Sequence, residues 1–158
     1  MSLRIWTRLG VLLATALLVA CGPTTDSKSA ESSLQSLLEP VVGARVNRVV
    51  LTAEAAARLG IKTDVVRKAS AGGAQSTLVP AAALVYESDG TVWVYKSVAT
   101  TAVKAPVGAV TFVRVPVTVA RVDGDTATLQ SGPPVGTTVV IVGTAELLGT
   151  EYRVAGGA

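Results

Sequence analysis

Alternation of valine with other residues constrains the fold of this chain more than any other feature. In the segment FVRVPVTVARV, valines fall at every second position, at Val113, Val115, Val117 and Val119. Because a strand places alternate side chains on opposite faces, this pattern is typical of a half-buried β-strand. Pro116 lies inside the pattern and cannot donate a ladder hydrogen bond, so it predicts an edge strand or a bulge there.

Further β signals surround this segment. ALVYESDGTVWVYKSV predicts a hairpin that turns at Asp89-Gly90. VPVTVARV and TATLQS predict a second hairpin around Asp123-Gly124-Asp125, where the glycine accommodates a positive φ. The apolar run TTVVIVG is bounded by glycines and predicts a strand that is covered on both faces.

Two short helices complete the predicted elements. In VLTAEAAARLGI, Thr52 is a suitable N-cap, the alanines favour helix and Gly60 ends it. In GTAELLGTEY, Thr144 is the N-cap and Gly149 is predicted to end the helix after little more than one turn. The sequence therefore predicts a mainly β fold, a small β-barrel or β-roll with two short helices.

The N-terminus has the layout of a secretory signal. Arg4 and Arg8 precede an uncharged apolar run, residues 9–20, which ends at the only cysteine, Cys21. The run is well short of the roughly 20 residues that a transmembrane helix needs. We therefore interpret residues 1–20 as a signal peptide. An ordinary secreted protein with a free cysteine near its cleavage site is the alternative.

The segment Leu18-Val19-Ala20-Cys21 resembles the lipobox of bacterial lipoproteins. The resemblance implies that the Cys21 sulfur carries a diacylglyceryl group and that Cys21 becomes the first mature residue. Acyl chains such as palmitate hold a protein stably on a bilayer when two or more are attached. The expected location is the cell envelope, as a membrane-anchored lipoprotein that faces the periplasm or the cell exterior.

Composition divides the mature chain into a tether and one domain. Residues 21–44 begin with a stretch rich in Ser, Thr, Gly and Pro and predict a flexible tether. Within them, SLQSLLEP is interpreted as solvated linker in preference to one or two helical turns. Residues 45–154 predict a single small β domain.

Residue content argues against several classes of function. The chain has no histidine, and its one methionine, Met1, leaves with the signal. We therefore expect no catalytic, cofactor-binding or metal-binding residues, and not an enzyme. Loss of Arg4 and Arg8 lowers the formal charge from +3 to +1, and no aromatic-basic cluster remains, so we expect no nucleic-acid partner.

Three segments together resemble the periplasmic adaptor subunits, or membrane fusion proteins, of resistance-nodulation-division efflux systems. They are RVVLTAEAAARLGIKTDVV, LVPAAALVYESDGTVWVYKS and TFVRVPVTVARVDGDTATLQSGPPVGTTVVIVGTAELL, about two thirds of the chain. In that family a VP segment opens the membrane-proximal β domain. A glycine-bounded turn, here residues 131–136, precedes a valine-rich strand that ends here at Gly143.

The chain departs from the family in its middle. Adaptors carry a biotinyl-lipoyl-like domain and a long coiled-coil hairpin between the matching parts. Here residues 66–77, VRKASAGGAQST, provide only a short connection. The resemblance is therefore to a truncated form that lacks the lipoyl and hairpin domains.

The resemblance implies a lipid-anchored accessory or adaptor-like subunit that docks on an inner-membrane efflux transporter and supports transmembrane export. The alternative is a stand-alone envelope lipoprotein that binds a small ligand, a peptide or an envelope component. The sequence leaves open whether copies of the domain assemble with one another.

Large side chains in strand context are the expected partner contacts. They are Trp93, Tyr95, Phe112 and Arg114. Val92 and Val94 are the better core candidates in their strand, which would turn Trp93 and Tyr95 outward. The alternative is that Trp93 belongs to the core.

Overall fold

The structure is a computed structural model that describes residues 36–70 and 76–155. In this part of the chain it contains ten strands and two α-helices. The elements are β1 (Ser36–Pro40), β2 (Asn47–Leu51), α1 (Ala53–Arg58), β3 (Lys62–Val65), β4 (Arg67–Lys68), β5 (Thr77–Pro80), β6 (Leu84–Tyr86), β7 (Val92–Val98), β8 (Val110–Asp123), β9 (Thr126–Ser131), β10 (Thr138–Val142) and α2 (Thr144–Ala155), with a 3₁₀ turn at Ala81–Ala83.

The strands form a nearly closed barrel. Their hydrogen-bonded order is β3-β10-β7-β8-β9-β5-β4, and only Val66 separates β3 from β4 along the chain. The Val66 N–H donates to the Thr137 carbonyl at 2.8 Å, and its carbonyl accepts from the Gly136 N–H at 2.9 Å. Residues 62–68 thus pair with β10 through their first part and with β5 through their second. The predicted fold class, a small β-barrel with two helices, is confirmed.

The long strand β8 joins the two halves of the barrel. Its first part lies between β2 and β7, and its last part pairs with β9. Pairing with β2 ends at Val113, and pairing with β9 begins at Thr118. Pro116 lies between these two points, where only β7 flanks β8. The proline therefore occupies a local edge, as its missing N–H requires.

Two apolar clusters lie on opposite faces of the sheet. One fills the barrel and includes Val94, Leu129 and Val139. The other lies outside the barrel and packs the sheet against the helices; it includes Val140 and Leu147. Because Val139 and Val140 belong to different clusters, β10 is covered on both faces, as its continuous apolar sequence predicts.

Both predicted hairpins are present. Strands β6 and β7 pair around the turn at Gly90, which has φ of 85°. The pairing of β8 with β9 ends at the turn with Asp123 opposite Thr126. The connection between the two strands is therefore Gly124-Asp125. Gly124 has φ of 54°, the left-handed conformation for which glycine was expected.

Helix α1 agrees with its sequence signals. The Thr52 hydroxyl accepts a hydrogen bond of 3.0 Å from the Ala55 N–H, which is the expected N-cap bond. The helix ends at Arg58, and Gly60 follows with φ of 65°.

Helix α2 is longer than predicted. It runs from Thr144 to Ala155 and continues through Gly149. Leu147 and Glu151, one turn apart on the same face, are both buried against the sheet. Their packing outweighs the roughly 1 kcal/mol by which an interior glycine disfavours helix. The prediction that Gly149 ends the helix is therefore wrong. Neither helix in the described part of the chain is long and apolar enough to cross a bilayer.

The folded domain begins earlier than Arg45. Residues 36–40, which were assigned to the tether, form β1 and pair antiparallel with β2. Leu38 packs against the outer apolar cluster, which explains why this short segment is ordered into the sheet. The predicted signal peptide, Cys21 and the predicted tether up to residue 35 lie outside the described residues, as do residues 71–75 of the predicted short connection.

Candidate functional site

Arg114 is the centre of a buried polar cluster on the outer face of the sheet. It lies in β8 opposite Tyr95 of β7, and only 5% of its surface is exposed. Its Nε donates to the Glu151 carboxylate at 3.1 Å, and its Nη1 donates to the Glu87 carboxylate. A guanidinium this deeply buried needs such partners, because removing a charge from water is costly unless it is paired.

Glu151 connects helix α2 to three strands. Besides the bond from Arg114 in β8, its carboxylate accepts a hydrogen bond of 2.7 Å from the Tyr95 hydroxyl in β7 and one of 2.9 Å from the Asn47 N–H in β2. The carboxylate is thereby satisfied by three donors that are far apart in sequence. These bonds fix the position of α2 on the barrel.

Two aromatic rings enclose the Arg114 side chain. Its guanidinium carbon lies 4.7 Å from the centre of the Trp93 ring and 5.4 Å from the centre of the Tyr152 ring, within the range of cation–π attraction. The Tyr152 hydroxyl also donates to Glu87 at 2.5 Å. Tyr152 thus covers the ion pair from the side of α2.

The cluster shifts the pKa of three of its members. Burial raises the pKa of Tyr95, and the hydrogen bond to Glu151 raises it further. The hydrogen bond to Glu87 raises the pKa of Tyr152. Burial by itself lowers the pKa of Arg114, but Glu151 and then Glu87 outweigh it and leave the pKa above its usual value. Arg114 is therefore a permanent cation, and both tyrosines keep their protons as donors.

The structure brings the four predicted contact residues together but buries most of them. Tyr95 is 0% exposed, Phe112 is 4% exposed and Arg114 is 5% exposed. The expectation that Tyr95 turns outward is wrong, because α2 covers the face on which it lies. Trp93 shares that face and is half-buried against the outer cluster, while Val94 on the opposite face fills the barrel as expected.

Three members of the cluster were not found as site residues from the sequence. Glu87 lies in the segment that predicts the first hairpin, but no site was assigned to it, and Glu151 and Tyr152 were given no role. One signal for Glu151 exists, since it follows the apolar Leu147 by four residues and so shares the inward face of a helix. That signal depends on continuing the helix past Gly149, which the local sequence opposes.

The accessible part of the cluster includes the half-buried Glu87 and Trp93, together with Tyr152, which is 51% exposed. We call Trp93 and Tyr152 the aromatic rim. Tryptophan and tyrosine are enriched among the residues that carry binding energy in protein interfaces. Here they are held in place by the buried ion pairs beneath them, so binding a partner would cost little side-chain entropy.

Two open cavities that are lined by described residues lie away from this cluster. One, of about 340 Å³, is lined by Lys68, Ser76, Thr77 and the turn at residues 132–135. The other, of about 470 Å³, lies between β1 and the loop that connects β7 to β8. Among the described side chains, no group of three or more His, Cys, Asp or Glu residues is placed to hold a metal ion.

Comparisons of the chain with protein-family models, with curated proteins and with solved structures gave no match. The likeness to periplasmic adaptor subunits therefore depends on the sequence segments described above.

Proposed function

We propose that this protein is a lipid-anchored, adaptor-like accessory subunit that docks on an inner-membrane efflux transporter and supports transmembrane export. Cys21 is the proposed lipid attachment site, and the β domain is the proposed docking module. No catalytic step is assigned to it.

One structural observation carries this proposal. The segments before and after the short connection fold into one barrel, in which residues 62–68 pair with both β10 and β5. Lys68 pairs directly with Thr77, so the connection leaves and re-enters the barrel at neighbouring positions. This is the arrangement expected of an adaptor β domain whose central lipoyl and hairpin insertion has been replaced by a short loop.

The aromatic rim is the proposed contact with the transporter. Tyr152 presents half of its surface to solvent while its hydroxyl is fixed by Glu87. Trp93 packs on Arg114 and on the outer cluster, and part of its surface remains accessible. A rigid aromatic pair of this kind suits a docking surface. It suits a catalytic role less well, because the charged groups of the surrounding cluster are already paired with one another.

Co-purification in mild detergent tests the proposal. The lipidated full chain is expressed with its candidate transporter and captured through a C-terminal tag, and the amount of transporter recovered is compared among variants. Tyr152→Ala is expected to weaken binding by about thirtyfold, since an aromatic hot-spot residue contributes about 2 kcal/mol to binding.

Tyr86→Ala is the matched control. Tyr86 is 64% exposed but lies opposite Val92, on the other face of the sheet from Trp93. Its replacement should leave transporter recovery unchanged. If the wild-type chain does not recover the transporter in stoichiometric amount, the docking function is contradicted.

The 340 Å³ cavity favours a second candidate, a stand-alone envelope lipoprotein that binds a small ligand or peptide. Its volume falls within the range of about 300–1,000 Å³ typical of ligand sites. Pro133, Pro134 and Val135 give it an apolar wall, and Lys68 adds a cation. A thermal-shift screen of anionic small molecules, peptides and cell-wall fragments tests this candidate, with Lys68→Ala expected to abolish any hit that uses the cavity.

A further inference from the structure

Two valines in one loop are completely exposed. The loop covers residues 99–109 between β7 and β8, and Val103 and Val107 in it are 101% and 106% exposed. A hydrogen bond of 3.0 Å from the Thr100 hydroxyl to the Ala109 carbonyl closes the base of the loop. The loop is therefore a defined projection that presents apolar side chains to its surroundings.

The same loop forms one wall of the larger cavity. Val103 and Lys104 line it from the loop side, and β1 and β2 line it from the other. The β1 side contributes Leu37, Leu38 and Pro40. Val42, in the turn two residues after Pro40, is also fully exposed at 101%. Apolar side chains thus project from both walls of one groove.

Positive charge accompanies these apolar residues. Lys104 and Arg48 line the groove as cations, against the single carboxylate of Glu39. The Arg48 guanidinium also reaches the Thr101 hydroxyl at 3.5 Å, which brings the loop and β2 together. Exposed aliphatic side chains beside basic ones suit the boundary between the acyl chains and the headgroups of an anionic bilayer.

The groove lies where the chain enters the domain. Ser36 begins β1, and it follows Cys21 by 15 residues. Such a segment spans at most about 50 Å even when it is fully extended. If Cys21 is lipidated, this segment keeps the start of β1 within that distance of the membrane.

We propose that the loop at residues 99–109 and the turn at Val42 contact the surface of an anionic phospholipid bilayer and orient the barrel on it. This inference rests on the lipid anchor of the proposed function. The contact places Val103 and Val107 at the headgroup–acyl boundary and Lys104 among the lipid phosphates. None of these residues belongs to the aromatic rim, which is the proposed contact with a protein partner.

A fluorescent probe on the loop tests the inference in the full lipidated chain. Val103→Cys provides one free thiol, because the sulfur of Cys21 is blocked by its lipid, and the thiol is labelled with an environment-sensitive dye. The protein is reconstituted into vesicles of phosphatidylcholine and phosphatidylglycerol that contain no transporter. Val135→Cys is the matched control, an exposed valine at 55% in the turn at residues 132–135.

We expect the probe at position 103 to shift its emission to shorter wavelength and to be quenched by lipids brominated near the headgroup end of their chains, about twofold more than the probe at position 135. Adding Lys104→Glu should reduce this quenching in the anionic vesicles but not in phosphatidylcholine alone.

The contrary outcomes are distinguishable. If the chain does not float with vesicles, the lipid anchor is absent, and this inference fails with it. If the chain floats but the two probes are quenched equally, only the loop contact is contradicted, and the docking function still stands. If the probe at position 103 is already shielded in detergent and the protein elutes as a dimer, the loop contacts a second copy and the bilayer assignment is wrong.

Discussion

The hydroxyl of Tyr95 donates a 2.7 Å hydrogen bond to the carboxylate of Glu151, which lies 56 residues later in the chain. This bond joins the middle of the barrel to the C-terminal helix. Both side chains are buried, Tyr95 at 0% and Glu151 at 2% exposure. The stability of the helix on the barrel should therefore depend on this pair and on Arg114.

Glu151→Gln should lower the free energy of unfolding by about 3 kcal/mol, because it removes a buried charge that Arg114 and two further donors require. Urea denaturation of the variant and the wild type measures the change. Glu146→Gln, an exposed position in the first turn of the same helix, is the control and should cost about 0.5 kcal/mol. Equal effects of the two substitutions would show that the buried network contributes little.

Stability should fall as the pH rises above about 10, the usual pKa of tyrosine. The pKa of Tyr95 is raised in the folded state, first by burial and then by Glu151, so the folded protein keeps a proton that the unfolded chain releases. The stabilisation is complete below the unfolded pKa and is lost as the pH climbs above it. Melting temperatures between about pH 8 and pH 11.5 measure the slope, and Tyr95→Phe should make it shallower. If the slope is unchanged in this variant, other groups cause the loss of stability at alkaline pH.

Two glycines near the C-terminus should respond oppositely to alanine. Gly149→Ala should stabilise the protein by about 0.5–1 kcal/mol, since the position is helical and an added Cβ meets no atom within 4 Å. Gly143→Ala should destabilise it by about 2 kcal/mol or more, because φ is +90° and the added Cβ would collide with the Ile61 side chain. The melting temperatures of the two variants, compared with that of the wild type, test both expected changes in stability. A stabilising effect at Gly143 would contradict the described backbone.

Trp93→Ala should cost about 2 kcal/mol of stability, since the half-buried ring packs on the outer cluster and on Arg114. Trp93→Phe keeps part of that packing and should lose less. The free energies of unfolding of the two variants, measured in urea, report this contribution. A nearly unchanged value for Trp93→Ala would place the ring in the interface alone, as one of the two sequence interpretations had it.

Cys21→Ser should leave an unprocessed or mislocalised precursor if the lipobox assignment is right. Cells grown with labelled palmitate should incorporate the label into the wild type and not into the variant. Ser27→Ala, in the adjoining segment, is the control and should be labelled normally. Labelling of the Cys21→Ser protein to the wild-type level would refute lipidation at this cysteine.

Much of the fold follows from local sequence. The valine alternation around Val115, the turn glycines Gly90 and Gly124 and the cap at Thr52 each act over a few residues, and the structure agrees with all of them. In each case the deciding interaction is a backbone conformation or a nearby hydrogen bond. Such interactions are visible in the sequence because both partners are neighbours in it.

The site depended on tertiary structure. The alternation in β7 shows that Val94 and Tyr95 face opposite sides, but it cannot show that both sides are covered. Helix α2 covers the second side, and it does so by continuing through Gly149 until Glu151 reaches Tyr95 and Arg114. The energy that sustains this helix comes from contacts with strands that lie some 37 to 104 residues away in the sequence, and only the folded chain brings those groups together.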